Sequence, residues 1–526
     1  MTTERLLVDL AVPACFPHAP GHVQLVQTHL SIVCLAGDLV YKLKKAVTMP
    51  FVDFAPLAAR RQACRDEVRL NRRLCPDTYL GTAALRRGPD GVARFAALGD
   101  DDGPDDVDVA VVMRRLPQER MLDELLRTHT VTATEITALA AHVAAFHARA
   151  ERSAAITTIG DPAQLATFAA ANFTELAALP HDASLDPLLA ALALATQAAF
   201  ARALPTLQTR AARGCIVDGH GDLHARNVCM TVPPTIYDCI EFAPAFRIGD
   251  VATEIAFLVM DLRYRTARAL AEVFVDAYVA VSGDGELRTL LPLLCSYRAM
   301  VRGKVAAMAA AEPELPTADR DAARRSLQRH TLLAAGCAIE ARGPRWLVLC
   351  GPPASGKSRL GAELAAVPQW PSFATDVVRK ELAGLAPTER ARPEHYTAAF
   401  SQRTYATLHE RAAAATRAGA PVVLLDGNFP TPGHRAAVFA AARQAGASPF
   451  LVHVDVDAPT AVARAAARTH EPGNVSDADA AVTAARHAQF VPPTPTEGAS
   501  CLRVDGTQPP ASNVLVVLTA LLAISE

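Results

Sequence analysis

The sequence of 526 residues contains no C-x-x-C pair among its eleven cysteines, no apolar run of twenty residues, and no lysine and arginine run interleaved with aromatics. An odd, scattered set of cysteines argues against a disulfide framework and against a cysteine-built zinc site, and fits a reducing cytosol. The most apolar late stretch, NVLVVLTALLAI at 513–524, is shorter than the ~20 residues a bilayer needs. It predicts a last helix docked on a core. A formal net charge of -2 and the missing basic run make membrane surfaces and nucleic acid poor partners. The opening MTTERLLVDLAVPACF is acidic early and has no sustained apolar run, which predicts no signal peptide and a cytoplasmic protein. No internal repeat is present.

With 51% hydrophobic and 20% charged residues the composition is that of a globular protein, and the length predicts two or three domains. Residues 1–115 read as strands and turns. LSIVCLAGDLVYKLKK alternates about a Gly37–Asp38 turn, which predicts a hairpin. The segment PLAARRQACRDEVRLNRRL has helical spacing, and GPDGVARFAALGDDDGPDDVDVAVVMRRL predicts a further pair of strands around an acidic loop. Residues 117–212 turn helical, with a capping box beginning at Thr132. Short strands flank VDGHGDLHARNVCM at 217–230, and helices return from 250 to about 340. Five short apolar runs follow, RWLVLCG, PSFATD, PVVLLDGNF, SPFLVHVDV and SCLRVDG, separated by helix-length segments. That alternation predicts βαβ units. The fold class expected is an α+β domain over 1–340 and an α/β domain with a five-stranded parallel sheet over 341–526.

In HGDLHARN, Asp222 and Asn227 lie five apart, and Asp238 follows in PTIYD. Transfer of a phosphoryl group from a metal nucleotide requires an acid at the acceptor hydroxyl and oxygen ligands for Mg²⁺. His220, Asp222, Leu223, Asn227 and Asp238 match the kinase catalytic-loop pattern H-x-D-L-x-x-x-N and its later metal-binding Asp. This part of the chain resembles the aminoglycoside phosphotransferase and choline kinase branch of the protein-kinase-like fold. The resemblance implies that Asp222 is the catalytic base and that Asn227 and Asp238 hold Mg²⁺. It also requires a phosphate-binding lysine on the third strand and a helical glutamate. Lys42, which ends LVYK, is the choice, with Lys44 as alternative; Glu67 is the only glutamate of its helix. Met113–Arg115 fall where the nucleotide hinge belongs, and Asp250 is expected to cap the next helix. His220 reads as a structural support, while His224 and Arg226 remain open between site and surface roles. The turn CLAGDLVYK has one glycine and no G-x-G-x-x-G.

GPPASGKS at 351–358 fits G-x-x-x-x-G-K-[ST] between a predicted strand and a helix. In that setting Gly351 and Gly356 let backbone N–H groups curl round phosphates, Lys357 reaches the β/γ oxygens, and Ser358 meets Mg²⁺. Ser355 is counted with the nucleotide-binding set. Asp376 and Arg379 end the second strand of this region, Asp426 ends the third as a carboxylate behind the metal, and Arg464 and Arg468 share a helix face. The domain resembles the polynucleotide kinase, zeta toxin and gluconate kinase group of P-loop kinases. There Asp376 would face the acceptor hydroxyl, and the arginine pair would sit on a lid over the transferring phosphate.

The whole chain resembles a bacterial fusion of an aminoglycoside-phosphotransferase-like kinase with a P-loop kinase. The resemblance implies two ATP- and Mg²⁺-dependent sites, each moving a γ-phosphate to a hydroxyl of a small molecule. Two alternatives stay open: a P-loop half that senses ATP and regulates the first domain, or one that phosphorylates polynucleotide 5′-hydroxyls.

Overall fold

The computed structural model describes residues 3–524 apart from 29, 50–51, 387, 469–476, 495–496 and 499. By packing, the chain divides into two compact units, Met1–Leu165 with Leu204–Arg288 and Ala166–Ala203 with Thr289–Glu526.

In the first unit the predicted hairpin forms, with strands Ser31–Ala36 and Leu39–Lys44 paired so that Ala36 faces Leu39. They belong to a six-stranded sheet with the order Val23–Gln27, Ser31–Ala36, Leu39–Lys44, Asp106–Arg114, Tyr79–Arg87, Ala93–Phe95, antiparallel at each pairing. Two features differ from the sequence reading. The strands Ala93–Phe95 and Asp106–Arg114 flank the acidic loop as expected but do not pair with each other, because Tyr79–Arg87 lies between them. That strand carries register shifts at Tyr79/Gly81 and Leu85/Arg86, and such bulges erase the period of two by which a strand is recognised. The first described element is a helix, Thr3–Leu10, whose Leu6 and Leu10 are buried one turn apart.

The helix Leu57–Asn71 packs on the strands Asp106–Arg114 and Tyr79–Arg87. Cys64 and Val68 meet Val40, Tyr79, Val109, Val111 and Met113 in its core. Each such aliphatic side chain contributes roughly 1.5–3 kcal/mol by leaving water. Because Glu67 precedes Val68, this packing also carries Glu67 inward, and it is fully buried. Helix Ala133–Arg149 begins with the capping box of Thr132 and Glu135. The segment 217–230 is bracketed by two small antiparallel pairs, Ile216–Asp218 with Ile248–Asp250 and Val228–Cys229 with Thr235–Ile236.

In the second unit the five predicted runs form five parallel strands, ordered Ser372–Ala374, Val422–Asp426, Arg345–Cys350, Ser448–Asp455, Ser500–Asp505. The central strands Arg345–Cys350 and Val422–Asp426 are buried along their whole length, as helix-covered parallel strands are. The last helix, Pro510–Ala523, docks as expected, burying Val514, Val517, Leu518, Leu521 and Leu522. Among the described residues one helical stretch, Ala183–Ala212, is long and apolar enough to cross a membrane by length and composition. All eleven cysteines are free thiols, and Cys501 is the exposed one.

Candidate active sites

Strand alternation puts Lys42 and Lys44 on one face, turned toward the helix that carries Glu67. Lys42 Nζ donates to Glu67 Oε1 at 2.9 Å and to Asp238 Oδ1 at 2.5 Å. Lys44 Nζ donates to Glu67 Oε2 and to Glu241 Oε1. Glu67 therefore gives one oxygen to each lysine. The Lys42 side chain is 14% exposed and that of Lys44 3%, so Lys42 is the more accessible of the two and Lys44 the more deeply buried. Desolvation would depress Lys42, but Asp238, Glu67 and Glu241 outweigh it and raise its pKa well above the usual lysine value. Desolvation would raise Asp238, yet the charge and hydrogen bond of Lys42 hold it below the usual carboxylate range. Burial keeps Glu241 raised, with Lys44 opposing.

Asp222 is set by its own loop. Asn227 Nδ2 donates to Asp222 O at 3.0 Å and Oδ2 at 3.1 Å, and His224 Nε2 lies 3.3 Å from Oδ2. His220 is fully buried; its Nδ1 accepts from the Asp222 N–H at 3.3 Å while Nε2 donates to Tyr237 O at 3.0 Å. Burial holds its pKa below the usual value, so the neutral ring acts as a brace. Gly221 turns the chain at φ +85°, and a Cβ there would lie 2.8 Å from Arg247 Cα, which no other residue accommodates.

The Val228↔Ile236 pairing and the Tyr237 N–H bond to Asn227 O at 3.1 Å bring Asn227 beside the Tyr237–Asp238 segment. With its amide nitrogen spent on Asp222, Asn227 offers a carbonyl oxygen, and Asp238 a half-exposed carboxylate. These are hard oxygen donors of the type Mg²⁺ takes. Asp250 caps helix Val251–Tyr264 through the Ala252 N–H at 2.8 Å and is gripped by Arg210 through both carboxylate oxygens. Arg226 is exposed, 3.7 Å from Asp123. Met113 is buried and pairs with Val40.

In the second unit the strand Arg345–Cys350 runs into the loop and out into helix Lys357–Ala366, which Gly356 precedes as N-cap. Gly351 adopts φ +152°, and a Cβ there would fall 2.5 Å from Val454 O. Lys357 is buried and folds back on the loop, donating to Pro352 O at 2.8 Å and to Ser355 Oγ at 3.4 Å. A cavity of about 2060 Å³ opens over this loop, and Ser355, Gly356, Lys357, Ser358, Asp376, Asp426 and Arg464 all line it. Pockets for one small ligand run to roughly 300–1,000 Å³, so the space exceeds what one small ligand needs.

Burial, then the neighbouring Asp426 charge, raises the pKa of Asp376. Arg379, one turn further, stacks on the Tyr396 ring at 4.6 Å and donates to His395 O at 2.6 Å. Arg464 Nη1 donates to Gly506 O at 2.9 Å. Arg468 ends helix Ala458–Arg468, but its side chain lies outside the described residues.

A model of the phosphotransferase enzyme family matches residues 41–290, and a model of the AAA domain matches residues 347–493. The chain joins a phosphotransferase-family domain to an AAA domain. Uncharacterized proteins of Mycobacterium bovis and Mycobacterium tuberculosis are 29% identical over 471 residues, 88% of this chain and 89% of theirs. Among solved structures, an amicoumacin kinase aligns with TM-score 0.37 and 12% identity over 63% of this chain and 93% of its own. A choline/ethanolamine kinase family protein from Mesorhizobium loti aligns with TM-score 0.35 and 13% identity, covering 62% and 98%. A gluconokinase from Sinorhizobium meliloti aligns with TM-score 0.25 and 18% identity, covering 34% and 92%. The protein is an enzyme of the kinase type, a protein-kinase-like α+β part followed by a P-loop α/β part.

Several supports of the phosphotransferase-family domain escaped the sequence reading. Glu254 accepts from the His220 N–H at 2.6 Å, the Gly221 N–H at 3.1 Å and His147 Nε2 at 2.9 Å. Its signal was an acid alone in the otherwise apolar run of VATEIAFL. Arg73 and Arg247 clamp Asp218 just before the HGDLHARN loop. Glu241 had no signal beyond lying three residues after Asp238. In the AAA domain Asp477 accepts from Tyr396 Oη at 2.7 Å and pairs with Lys380 at 3.3 Å.

Proposed function

We propose that this protein is an ATP-dependent kinase with two phosphotransfer sites, each moving a γ-phosphate to a hydroxyl of a small molecule. What carries the reading is that each unit gathers a full set of groups for that chemistry. In the phosphotransferase-family domain, Asp222 takes the acceptor proton, Lys42 holds nucleotide phosphate with Glu67 as its counter-ion, and Asn227 and Asp238 hold Mg²⁺. In the AAA domain, the N–H groups of Gly351, Ala354, Ser355 and Gly356 with the side chains of Ser355 and Lys357 hold the phosphates, and Ser358 and Asp426 hold Mg²⁺. Asp376 orients the acceptor hydroxyl. Arg464, with Arg468 on the same helix, neutralises charge on the phosphate in flight. Bound Mg²⁺ supplies charge neutralisation on the nucleotide oxygens.

Asp376 favours turnover over mere ATP sensing in the second unit. Its raised affinity for protons, with Asp426 beside it, suits a group that handles an acceptor hydroxyl. The sequence boundary at 340/341 is kept as the division between the two functional domains. Free, largely buried thiols support a cytoplasmic setting, and nucleic acid and membrane are not proposed as partners.

The test is a panel of hydroxylated metabolites and RNA 5′ ends with labelled ATP, run on Asp222→Asn and Lys357→Ala. Each change is expected to abolish one transfer and spare the other. Retention of all ATP turnover in both single variants overturns the two-site reading.

A further inference from the structure

The strand Leu39–Lys44 reaches the segment after the helical lobe's small hairpin by two ammonium contacts, Lys42 to Asp238 and Lys44 to Glu241. The two contacts are unlike in exposure. The Asp238 side chain is 41% exposed, whereas Lys44 and Glu241 are 3% and 4% exposed. Under the proposed function, Lys42 and Asp238 must part on loading, one to a phosphate and the other to a metal. Lys44 and Glu241 face neither.

We propose that Lys44 and Glu241 are positioning residues, a fixed tether that holds Glu67 and the Asp238 segment in place while the Lys42–Asp238 contact exchanges for nucleotide and metal. The proposal rests on the reading of Asp238 as metal ligand. Two observations carry it further than a buried ion pair would. Asp238 sits at φ +63°, a left-handed conformation that residues other than glycine seldom adopt and that persists where its flanks are held. The main chain is held where Asp238 N–H donates to Tyr79 Oη at 3.2 Å, Cys239 N–H to Asn71 Oδ1 at 2.9 Å and Ile240 N–H to His220 O at 3.2 Å; Glu241 adds a side-chain hold one residue further on. In addition, Glu67 and Glu241 repel each other in a buried setting, and Lys44 lies between them bonded to both. Without its charge the two carboxylates would move apart, and Glu67 would leave Lys42.

The experiment uses the full chain carrying Lys357→Ala, so that the AAA domain is silent. Mn²⁺ binding is followed by electron paramagnetic resonance in the presence of the non-hydrolysable analogue AMP-PNP, and ATP turnover is measured in parallel. Glu241→Gln keeps shape and removes charge. It is expected to weaken Mn²⁺ binding at least fivefold and lower kcat at least tenfold, with KM for ATP within twofold. Lys42→Met is expected to raise KM for ATP instead. Lys44→Met should match Glu241→Gln, and the double variant should lose no more than either alone. Unchanged Mn²⁺ affinity and kcat in Glu241→Gln overturn the proposal, as does a rise in KM alone or a loss of melting temperature with full activity per folded molecule. Should Asp238→Asn itself leave Mn²⁺ binding intact, the metal reading fails, and the tether with it; if only Asp238→Asn weakens binding, the tether alone fails.

Discussion

The carboxylate of Glu254 accepts the backbone N–H of His220 at 2.6 Å. A buried acid on the helix Val251–Tyr264 thus holds the loop that carries Asp222 by its main chain. Because the neighbouring Gly221 N–H and His147 bond the same carboxylate, loop position and helix position are locked together.

Replacing Glu254 by Gln should therefore cost stability and activity at once. Breaking a buried, hydrogen-bonded charge is worth about 3–5 kcal/mol. Burial would raise this carboxyl, but the His147 bond and charge prevail and set it at about 2. A folded pKa below the unfolded value means stability present above about 4.5 and lost as pH falls toward 2. At about 1.4 kcal/mol per tenfold change in proton affinity, the loss is about 3 kcal/mol. Urea titrations at pH 5 and pH 3 should show about 2 kcal/mol of it in the parent and none in Glu254→Gln.

Lys42 and Glu67 should separate kinetically. Lys42→Met removes a proposed phosphate contact and leaves Asp238 without its cation, while Glu67 keeps Lys44. Catalysis at this site is expected to fall by about 10²–10³, the usual effect of losing one charge-stabilising donor, with a raised KM for ATP. Glu67→Gln, which keeps an oxygen for one lysine and turns an amide donor toward the other, is expected to fall less, by about tenfold. Equal KM values in the parent and Lys42→Met would contradict this assignment.

Gly351→Ala tests the loop of the AAA domain. The added Cβ would lie 2.5 Å from Val454 O, main chain that cannot swing away. A cost of about 1–3 kcal/mol should appear as a lower melting temperature. Binding of a fluorescent ATP analogue at this site should weaken by at least tenfold.

His409, on the cavity wall, provides a second acid-sensitive group. Burial lowers its pKa to about 4, and its Nε2 has no hydrogen-bond partner among the described residues. The unfolded chain binds its proton from about pH 6.5 downward and the folded chain only near 4, so stability falls as pH drops across that window. The loss is up to about 3 kcal/mol. His409→Leu should flatten the stability profile between pH 6.5 and 4 and leave the Glu254 window below it unchanged.

The elements that a period reveals were legible. Five apolar runs became five parallel strands, and Thr132 with Glu135 formed its box. Where the period is broken the sequence was mute: Tyr79–Arg87, bulged at Gly81, separates strands that read as a pair. The geometry of the loops HGDLHARN and GPPASGKS was legible for a different reason. Their groups are held by neighbours a few residues away, as Asn227 holds Asp222 at 3.0 Å and Lys357 rests on Pro352, so spacing alone encodes them.

What the sequence by itself determined was each local constellation, HGDLHARN and GPPASGKS, and the lysines and acids available to serve them. Only the tertiary structure decided how the two lysines divide the acids. Lys42 meets Glu67 from 25 positions away and Asp238 from 196, while Lys44 meets Glu241 from 197. A period-two strand puts both lysines on one face and cannot rank them. The ranking comes from burial, which sinks Lys44 between two carboxylates and leaves Lys42 partly exposed.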